Sequence, residues 1–292
     1  MPGRYLKHQL QRAWPYKILQ VDNFGIMVWQ GVYNRTFGKN NNRNADREKL
    51  WLDFSMDGLP LHNSGPTQLW PILMRIYEMP SAPIFVVALF CGSSKPSSAN
   101  EYLDKLVTEL NTLQSTGMQL NGNLIAIGVR AILADTPARS FIKGVTGHTG
   151  HDSCQKCTER TMYDQLNRRI YFNGDDAPKR NDADFKAGKY DTHYKHSTPL
   201  VELQNFNIIN DIPTTDRLHL IDLGVMKGLM KAWKKGKFGR PFKLDCVEIA
   251  YISSVIDSVK LPSEIPRKLR DIRHLNFWKG AEYKNFLHYP SI

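Results

Sequence analysis

The chain has 292 residues, of which 41% are hydrophobic, and its 39 lysines and arginines exceed its 28 aspartates and glutamates, giving a net charge of +11. This length and composition predict a core large enough for one large domain or two small ones. No apolar run approaches the roughly 20 residues of a membrane-spanning helix, and the N-terminus lacks the apolar segment of a signal peptide. We therefore expect no membrane partner, and the positive charge favours a polyanionic one, with nucleic acid first.

Residues 1–49 form an N-terminal extension to which no chemistry can be assigned. Residues 25–33 predict a strand, and the Asn-rich stretch 38–44 has the composition of a solvated loop. The role of this extension is open.

Residues 50–145 predict the first part of an α/β core, in the order strand, strand, strand, helix, strand. The alternation of apolar residues over 50–56 predicts the first strand, and apolar runs over 69–77 and 84–90 predict the next two. A helix is expected between Ser97 and Gly117 because both ends carry the usual start and stop residues. Residues 124–134 predict a buried fourth strand.

An aspartate follows the first predicted strand, and another follows the fourth: Asp57 and Asp135. A helix between strands lets the fourth return parallel to an earlier one by a right-handed crossover. If its neighbour is the first strand, both carboxylates lie at one edge of the sheet. Such a pair suits two divalent cations, Mg²⁺ or Mn²⁺, about 3.5–4 Å apart, that act in phosphoryl transfer. Alternatively, each aspartate only opens a turn.

Several short segments resemble, in order, the catalytic domain of CACTA-type (En/Spm-like) DNA transposases. The first, residues 56–73, combines an Asp-Gly pair, a serine-containing loop and the sequence Trp-Pro-Ile-Leu. The others are residues 92–96, Tyr102 and Leu103 with Leu110, residues 134–138, residues 147–150 leading to Cys154 and Cys157, residues 216–219 and residues 277–283.

This resemblance implies an RNase H-like fold, a mixed sheet with flanking helices and a loop-rich insertion, that carries an acidic metal-binding triad. Asp57 and Asp135 match the first two acids. We expect Glu282 to be the third, because it lies in a predicted helix over residues 274–289 with an apolar stripe. Asp222 and Glu248 are the alternatives, and Glu282 could instead be an exposed helical residue.

Residues 146–215 predict the loop-rich insertion, which contains a Cys-x-x-Cys motif. Cys154 and Cys157 could supply half of a tetrahedral, structural Zn²⁺ site. No second such motif follows at zinc-finger spacing, and the candidate partners are His148, His151, His193, His196 and His219. Two unpaired thiols are the alternative, while a thioredoxin-like redox pair is disfavoured because the motif does not open a helix after a first strand. Four cysteines without a disulfide pattern indicate a reducing compartment, nucleus or cytoplasm.

Residues 216–292 predict a helical part that completes the core. Asp216 and His219 match an Asp-x-x-His element of the family; Asp216 is also a good helix N-cap, and His219 could bind a metal or orient a phosphate. The helix that follows is apolar on one face, and its other face is predicted to contact the DNA backbone without base readout. The lysines of that face are Lys227, Lys231, Lys234 and Lys235. Residues 247–259 predict a buried helix.

The leading hypothesis is a transposase-like enzyme that cleaves and transfers DNA strands in the nucleus, with further copies of itself as an optional partner and no small-molecule substrate. The second is a catalytically inactive, transposon-derived protein that binds nucleic acid or another protein. It is favoured by the expectation that this is a truncated copy, without an N-terminal DNA-binding module and with an abrupt C-terminus. The third is an RNase H-like nuclease without transposition.

Overall fold

The computed structural model describes residues 17–20 and 49–290, apart from residues 63–64, 121–122, 167, 175 and 266. The strand predicted over 25–33 and the Asn-rich stretch lie outside the described residues. The chain divides into two compact units between Thr214 and Thr215, and each unit has its own cluster of buried apolar side chains. None of the described helices is long and apolar enough to cross a membrane.

The described part of the first unit contains a mixed sheet of seven strands, in the order β1-β5-β4-β2-β7-β6, with β3 paired to β4. The bounds are β1 Lys17–Gln20, β2 Lys49–Met56, β3 Leu59–Pro60, β4 Gln68–Ile76, β5 Phe85–Gly92, β6 Met118–Leu120 and β7 Asn123–Ala134. β2, β4 and β5 are antiparallel neighbours, whereas β2 and β7 are parallel. The predicted α/β class with a mixed sheet and flanking helices is confirmed.

Helix α1 (Ala99–Thr116) makes the crossover that parallel pairing requires. Ser98 caps its start by accepting a hydrogen bond from the Glu101 N–H at 3.1 Å, and Gly117, with φ of 68°, ends it. Its apolar face, which includes Leu103 and Leu110, packs in the same core as the sheet. The predicted helix and its start and stop signals are confirmed.

One buried acid lies on β2 itself. Asp53 is 2% exposed, and it accepts hydrogen bonds from Arg75 on β4 at 2.9 Å and from Arg130 on β7 at 2.7 and 2.5 Å. Arg130 also lies 4.0 Å from the ring centre of Tyr77. The three central strands are therefore joined by a charged contact as well as by their backbone ladders.

The insertion packs on the sheet and shares its core. Helix α2 (Thr136–Ile142) precedes it, and it contains the hairpin β8–β9 (Thr161–Asp164, Arg169–Phe172), α3 (Asp182–Lys186) and short 3-10 helices at Asp191–His193 and Pro199–Glu202. Phe185, Leu200 and Phe206 lie in the same buried cluster as β2 and β7. The N–H of Ile132 on β7 also donates to the carbonyl of Asp211 at 2.9 Å.

The second unit is helical. Its elements are a π-helix (Arg217–Met226), α4 (Lys227–Lys235), a 3-10 helix (Arg240–Phe242), α5 (Cys246–Ser258), a 3-10 helix (Ile272–Phe277) and α6 (Gly280–His288). The single helix predicted over 274–289 is thus two helices. The burial predicted for 247–259 is wrong, because α5 buries only Ile256 and leaves Val247 71% and Tyr251 70% exposed.

Candidate functional site

Asp57 and Asp135 lie at the carboxyl ends of two hydrogen-bonded strands. β2 and β7 run parallel, and Met56 and Ala134 are the last residues paired in their register. Each aspartate directly follows the last paired residue of its strand, and both are half-buried. The predicted neighbour relation of the first and fourth strands, and with it the shared edge of the two acids, is confirmed.

The turn after β2 is held by Asp57 and by the close packing of Gly58. The Oδ1 atom of Asp57 accepts a hydrogen bond from the Gly58 N–H at 2.7 Å. A Cβ atom at position 58 would lie 2.6 Å from the Trp70 indole, so a residue without a side chain is needed where the backbone approaches the ring. The position of Asp57 is therefore fixed by packing on Trp70 as well as by turn chemistry.

Asp135 is the N-cap of α2. Its Oδ1 atom accepts a hydrogen bond from the Ala138 N–H at 2.8 Å, and Pro137 lies in the first turn, where its missing N–H is tolerated. The turn-opening alternative from the sequence is thus present in the structure. It does not exclude cation binding, because an ionised carboxylate offers about four lone-pair sites.

Three aromatic rings connect the turns that carry the two acids. Trp70, which packs on Gly58, contacts Phe141 of α2 at 5.5 Å and Tyr102 of α1 at 6.2 Å between ring centres. The Tyr102 hydroxyl donates to the carbonyl of Pro71 at 3.2 Å. Burial and the negative charge of Asp57 raise the pKa of Tyr102. The sequence offered no signal for this neighbour of Asp57.

The acid pair supplies two carboxylates at this edge of the sheet. Among the residues that the structure describes, no group of three or more His, Cys, Asp or Glu side chains could hold a metal ion. Mg²⁺ is commonly bound through one or two carboxylates, with water and substrate phosphates completing its shell. The donor set of Asp57 and Asp135 fits such an ion.

Glu282, the expected third acid, lies in α6 of the second unit with its side chain fully buried. Its carboxylate accepts hydrogen bonds from the guanidinium of Arg270 at 2.6 Å on each oxygen and from the Lys279 N–H at 2.8 Å. Burial acts to raise the pKa of Glu282, but these hydrogen bonds outweigh it and hold the pKa below its usual range. The carboxylate therefore already makes three hydrogen bonds within its unit, and its catalytic role stays a prediction.

The two alternative third acids also have internal partners. Asp222 is buried in the π-helix, where its Oδ1 atom lies 3.8 Å from the Arg217 guanidinium. Glu248 and Asp245 form the capping box of α5, each side chain accepting the other's backbone N–H. Asp222 differs from Glu282 in that its buried Oδ1 atom has no hydrogen-bond partner among the described residues.

The two thiols of the Cys-x-x-Cys motif are close to each other. Their sulfur atoms are 3.2 Å apart, with the Cys157 thiol donating to Cys154, and both cysteines are free. Burial raises the pKa of Cys154, but hydrogen bonds from the Lys156 and Cys157 N–H groups and the charge of Arg180 together lower it. Burial, with the neighbouring Cys154, raises the pKa of Cys157 above its usual value. Cys154 is therefore the more easily ionised of the two thiols.

The histidines expected as further zinc ligands differ in their surroundings. His148, His151 and His196 are exposed. His193 is buried, with Nδ1 2.7 Å from the carbonyl of Asp152 and Nε2 without a hydrogen-bond partner among the described residues. Burial, together with Arg180 and Lys143, lowers the pKa of His193 to about 4. The imidazole is therefore neutral at pH 7.

A cluster of buried cations surrounds Cys154, and no sequence pattern indicated it because its members are far apart in the chain. Lys143 is completely buried, and its Nζ atom has no hydrogen-bond partner among the described residues. Burial and the charges of Lys156, Arg139 and Arg180 lower the pKa of Lys143 to about 7. Arg180 donates to the Cys154 carbonyl at 3.0 Å.

Asp216 and His219 form a contact at the start of the π-helix. The Asp216 side chain accepts the Leu218 N–H at 2.9 Å, so the predicted N-cap is confirmed. Its other oxygen hydrogen-bonds to His219 Nδ1. A carboxylate that hydrogen-bonds to Nδ1 fixes the orientation of the imidazole ring. Metal-binding histidines are commonly oriented in the same way.

The four lysines predicted to contact DNA lie on or next to α4 of the second unit. Lys235 is exposed, and Lys227 and Lys231 are half-exposed. Lys234 instead donates to the carbonyls of Ile272 and Arg273 at 3.2 and 2.8 Å. The ammonium group of Lys234 is thus engaged within the unit, whereas Lys235 is directed to solvent.

Comparison of the chain with models of known protein families, and with curated proteins, gives no match.

Proposed function

We propose that this chain is a transposase-like protein with an RNase H-like core that cleaves and transfers DNA strands with Mg²⁺ or Mn²⁺ at Asp57 and Asp135. The observation that carries the proposal is the parallel register that ends at Met56 and Ala134. It puts two acids that are 78 positions apart in the chain (135 − 57) at one edge of the sheet. The strand order, with the fourth predicted strand beside the first, is the one on which the RNase H-like interpretation depends.

The roles of the two aspartates follow from their surroundings. Each has one oxygen in a hydrogen bond to a backbone N–H, which orients the carboxylate. Bound divalent cations would neutralise the charge that develops on the phosphate and activate the attacking oxygen. Trp70, which packs on Gly58, also contacts Phe141 of α2, so both turns pack on one aromatic cluster, and packing of this kind supports preorganised metal ligands.

Nucleic acid as the substrate is supported by charge. The chain carries a net charge of +11, and the run from α4 onward is rich in exposed cations. Phosphate contacts by lysine and arginine supply most sequence-independent affinity for DNA. A nuclear location and assembly with further copies on DNA belong to the same proposal.

The test is nicking of supercoiled plasmid with Mg²⁺ or Mn²⁺, comparing the full chain with Asp57→Asn and Asp135→Asn. We expect each variant to lose at least about 100-fold in rate, since even residues that only support metal ligands are worth 10–100-fold. Asp104→Asn is the matched control, because Asp104 is an exposed acid on α1 of the same unit. Mn²⁺ binding followed by electron paramagnetic resonance gives a readout independent of turnover. Equal nicking by wild type and Asp57→Asn would refute the assignment.

A second candidate is a transposon-derived protein that binds nucleic acid without cleaving it. It is favoured by the fact that both aspartates make hydrogen bonds typical of turns and caps, while Glu282 is hydrogen-bonded to Arg270 and Lys279. The plasmid assay, together with a gel-shift assay, separates the two. This candidate predicts that the chain binds DNA in the gel shift and that neither the wild type nor any variant shows metal-dependent nicking.

Structural Zn²⁺ at Cys154 and Cys157 is a further part of the proposal. The described residues supply two close thiols, and they do not complete a set of three or more ligands, so the residues fit a zinc site only in part. Metal analysis of the purified chain would give about one zinc equivalent, lost in Cys154→Ser and retained in Cys246→Ser. Absence of zinc in protein grown with added metal would favour the alternative of two unpaired thiols.

A further inference from the structure

The second unit contains a long stretch without any acidic residue. Between Asp222 and Asp245 there is no Asp or Glu. The same stretch contains seven basic residues: Lys227, Lys231, Lys234, Lys235, Lys237, Arg240 and Lys243. The nearest acids that follow, Asp245 and Glu248, accept each other's backbone N–H in a capping box. A local positive surface of this kind attracts a polyanion.

Residues 236–243, which we name the aromatic–basic loop, form an ordered turn at the end of α4. Gly236 ends the helix in the left-handed region, with φ of 70°, and the Lys237 N–H donates to the Ala232 carbonyl at 2.9 Å. A Cβ atom at Gly236 would lie 3.0 Å from the aliphatic chain of Lys243. The Leu244 N–H then returns to the Trp233 carbonyl at 3.2 Å. The loop is thus closed onto the helix that precedes it.

Two phenylalanines of this loop are directed to solvent. Phe238 is 50% and Phe242 is 62% exposed, although burial of such a side chain is worth about 1.5–3 kcal/mol. Lys237, Arg240 and Lys243, all exposed, alternate with the two rings along the chain. Flat apolar faces between cations match a strand in which bases and phosphates alternate, because bases stack on aromatic rings while lysine and arginine contact the phosphates.

We propose that the aromatic–basic loop binds an unpaired stretch of nucleic acid, with Phe238 and Phe242 stacking on bases and the neighbouring cations contacting phosphates. Duplex DNA does not offer base faces to such rings, so the loop favours single strands over duplexes of the same length. The inference deepens the proposed function and depends on it for the class of ligand. It adds a preference for unpaired bases, which a protein that cleaves and rejoins strands would meet at its reaction site.

The test is fluorescence anisotropy with a labelled oligothymidylate of about 20 nucleotides, the matching duplex and heparin, using the full chain in EDTA. We expect Phe238→Ala with Phe242→Ala to weaken oligothymidylate binding roughly 5- to 150-fold for each ring, and to change heparin binding by less than twofold. Phe238→Trp with Phe242→Trp retains the affinity, because indole also stacks. Unchanged oligothymidylate affinity in the double alanine variant, or an equal loss on heparin, overturns the proposal.

The cations are tested separately by the salt dependence. Removing two phosphate contacts with Lys237→Gln and Arg240→Gln would reduce the slope of log affinity against log salt by about 1.4, that is, 0.7 for each contact on a single strand. Phe277→Ala is the matched control, since Phe277 is a 67% exposed phenylalanine of the same unit outside the loop. We expect it to bind as wild type does.

The failure of this inference can be distinguished from failure of the proposed function. The binding assay contains no divalent metal, so its outcome does not depend on cation binding at Asp57 and Asp135. Absence of metal-dependent nicking by the wild-type chain, together with ring-dependent oligothymidylate binding, would keep the loop proposal and refute catalysis. If the alanine variant loses binding to phosphatidylserine vesicles and keeps its affinity for oligothymidylate, the ligand is a membrane surface and the proposal is wrong.

Discussion

The replacement Glu282→Gln tests the structural role of the expected third acid. The Glu282 carboxylate accepts two hydrogen bonds from Arg270 at 2.6 Å and one from the Lys279 N–H at 2.8 Å. Glutamine has nearly the same shape as glutamate but carries no charge, and its NH₂ group would face an N–H donor of Arg270. The structure therefore predicts that this variant destabilises the second unit whether or not the residue takes part in catalysis.

The expected size of the effect follows from burial. Removing one partner of a buried ion pair costs about 3–5 kcal/mol. The Arg270 side chain is 41% exposed, so water can solvate its charge after the substitution, and we reduce the expected loss to about 2–4 kcal/mol. At about 1.4 kcal/mol per factor of ten, the amides of α6 would exchange roughly 30- to 700-fold faster.

Hydrogen–deuterium exchange followed by mass spectrometry measures this change in α6 directly. The pKa of Glu282 is held below its ordinary value of 4.5 in the fold, so protonation on acidification favours the unfolded chain. The stabilisation is complete above that value and is lost as the pH falls below it, and the wild type and variant would converge there. Glu264→Gln, at an exposed acid of the same unit, is the control, with a change within about 0.5 kcal/mol. Equal exchange rates in wild type and Glu282→Gln at pH 7 would contradict the reasoning.

Three further predictions concern the first unit. Gly58→Ala would destabilise it by about 1–3 kcal/mol through overpacking against Trp70, measured by urea unfolding. Asp53→Asn would lower stability by about 2–4 kcal/mol, because Arg75 and Arg130 lose a buried partner but are exposed enough for water to solvate their charges, with Asp104→Asn unchanged. The pKa of Lys143 is lowered to about 7 from 10.5, so between these pH values the unfolded chain binds more protons than the folded chain, and stability rises with pH there. Lys143→Met would remove this rise. If the stability of the variant still rose with pH in this range, the burial argument would be contradicted.

The sequence was sufficient to predict the central strands and the long helix because their signals are local. Apolar alternation marks β2, and Ser98 and Gly117 mark the ends of α1. The edge shared by Asp57 and Asp135 was also predictable, since a helix between strands restricts how the fourth strand can return. Each of these inferences depended on periodicity, caps or chirality.

The parts that were not predicted depend on contacts between distant residues. The two cations that bind Asp53 come from different strands, and the charges around Lys143 come from three separate segments. The apolar composition of α5 predicted burial, yet Val247 and Tyr251 are exposed, because hydrophobicity without a face does not determine which neighbours cover a helix.

The cap and metal interpretations of the two aspartates differ in one measurable consequence. If Asp135 only caps α2, Asn at that position keeps the hydrogen bond to the Ala138 N–H, because asparagine is as good an N-cap as aspartate. If Asp135 also binds a cation, the same substitution removes a charged ligand while leaving the helix intact. Asp135→Asn therefore preserves the fold under both interpretations. Weaker Mn²⁺ binding by the variant at unchanged thermal stability would assign the carboxylate to metal binding.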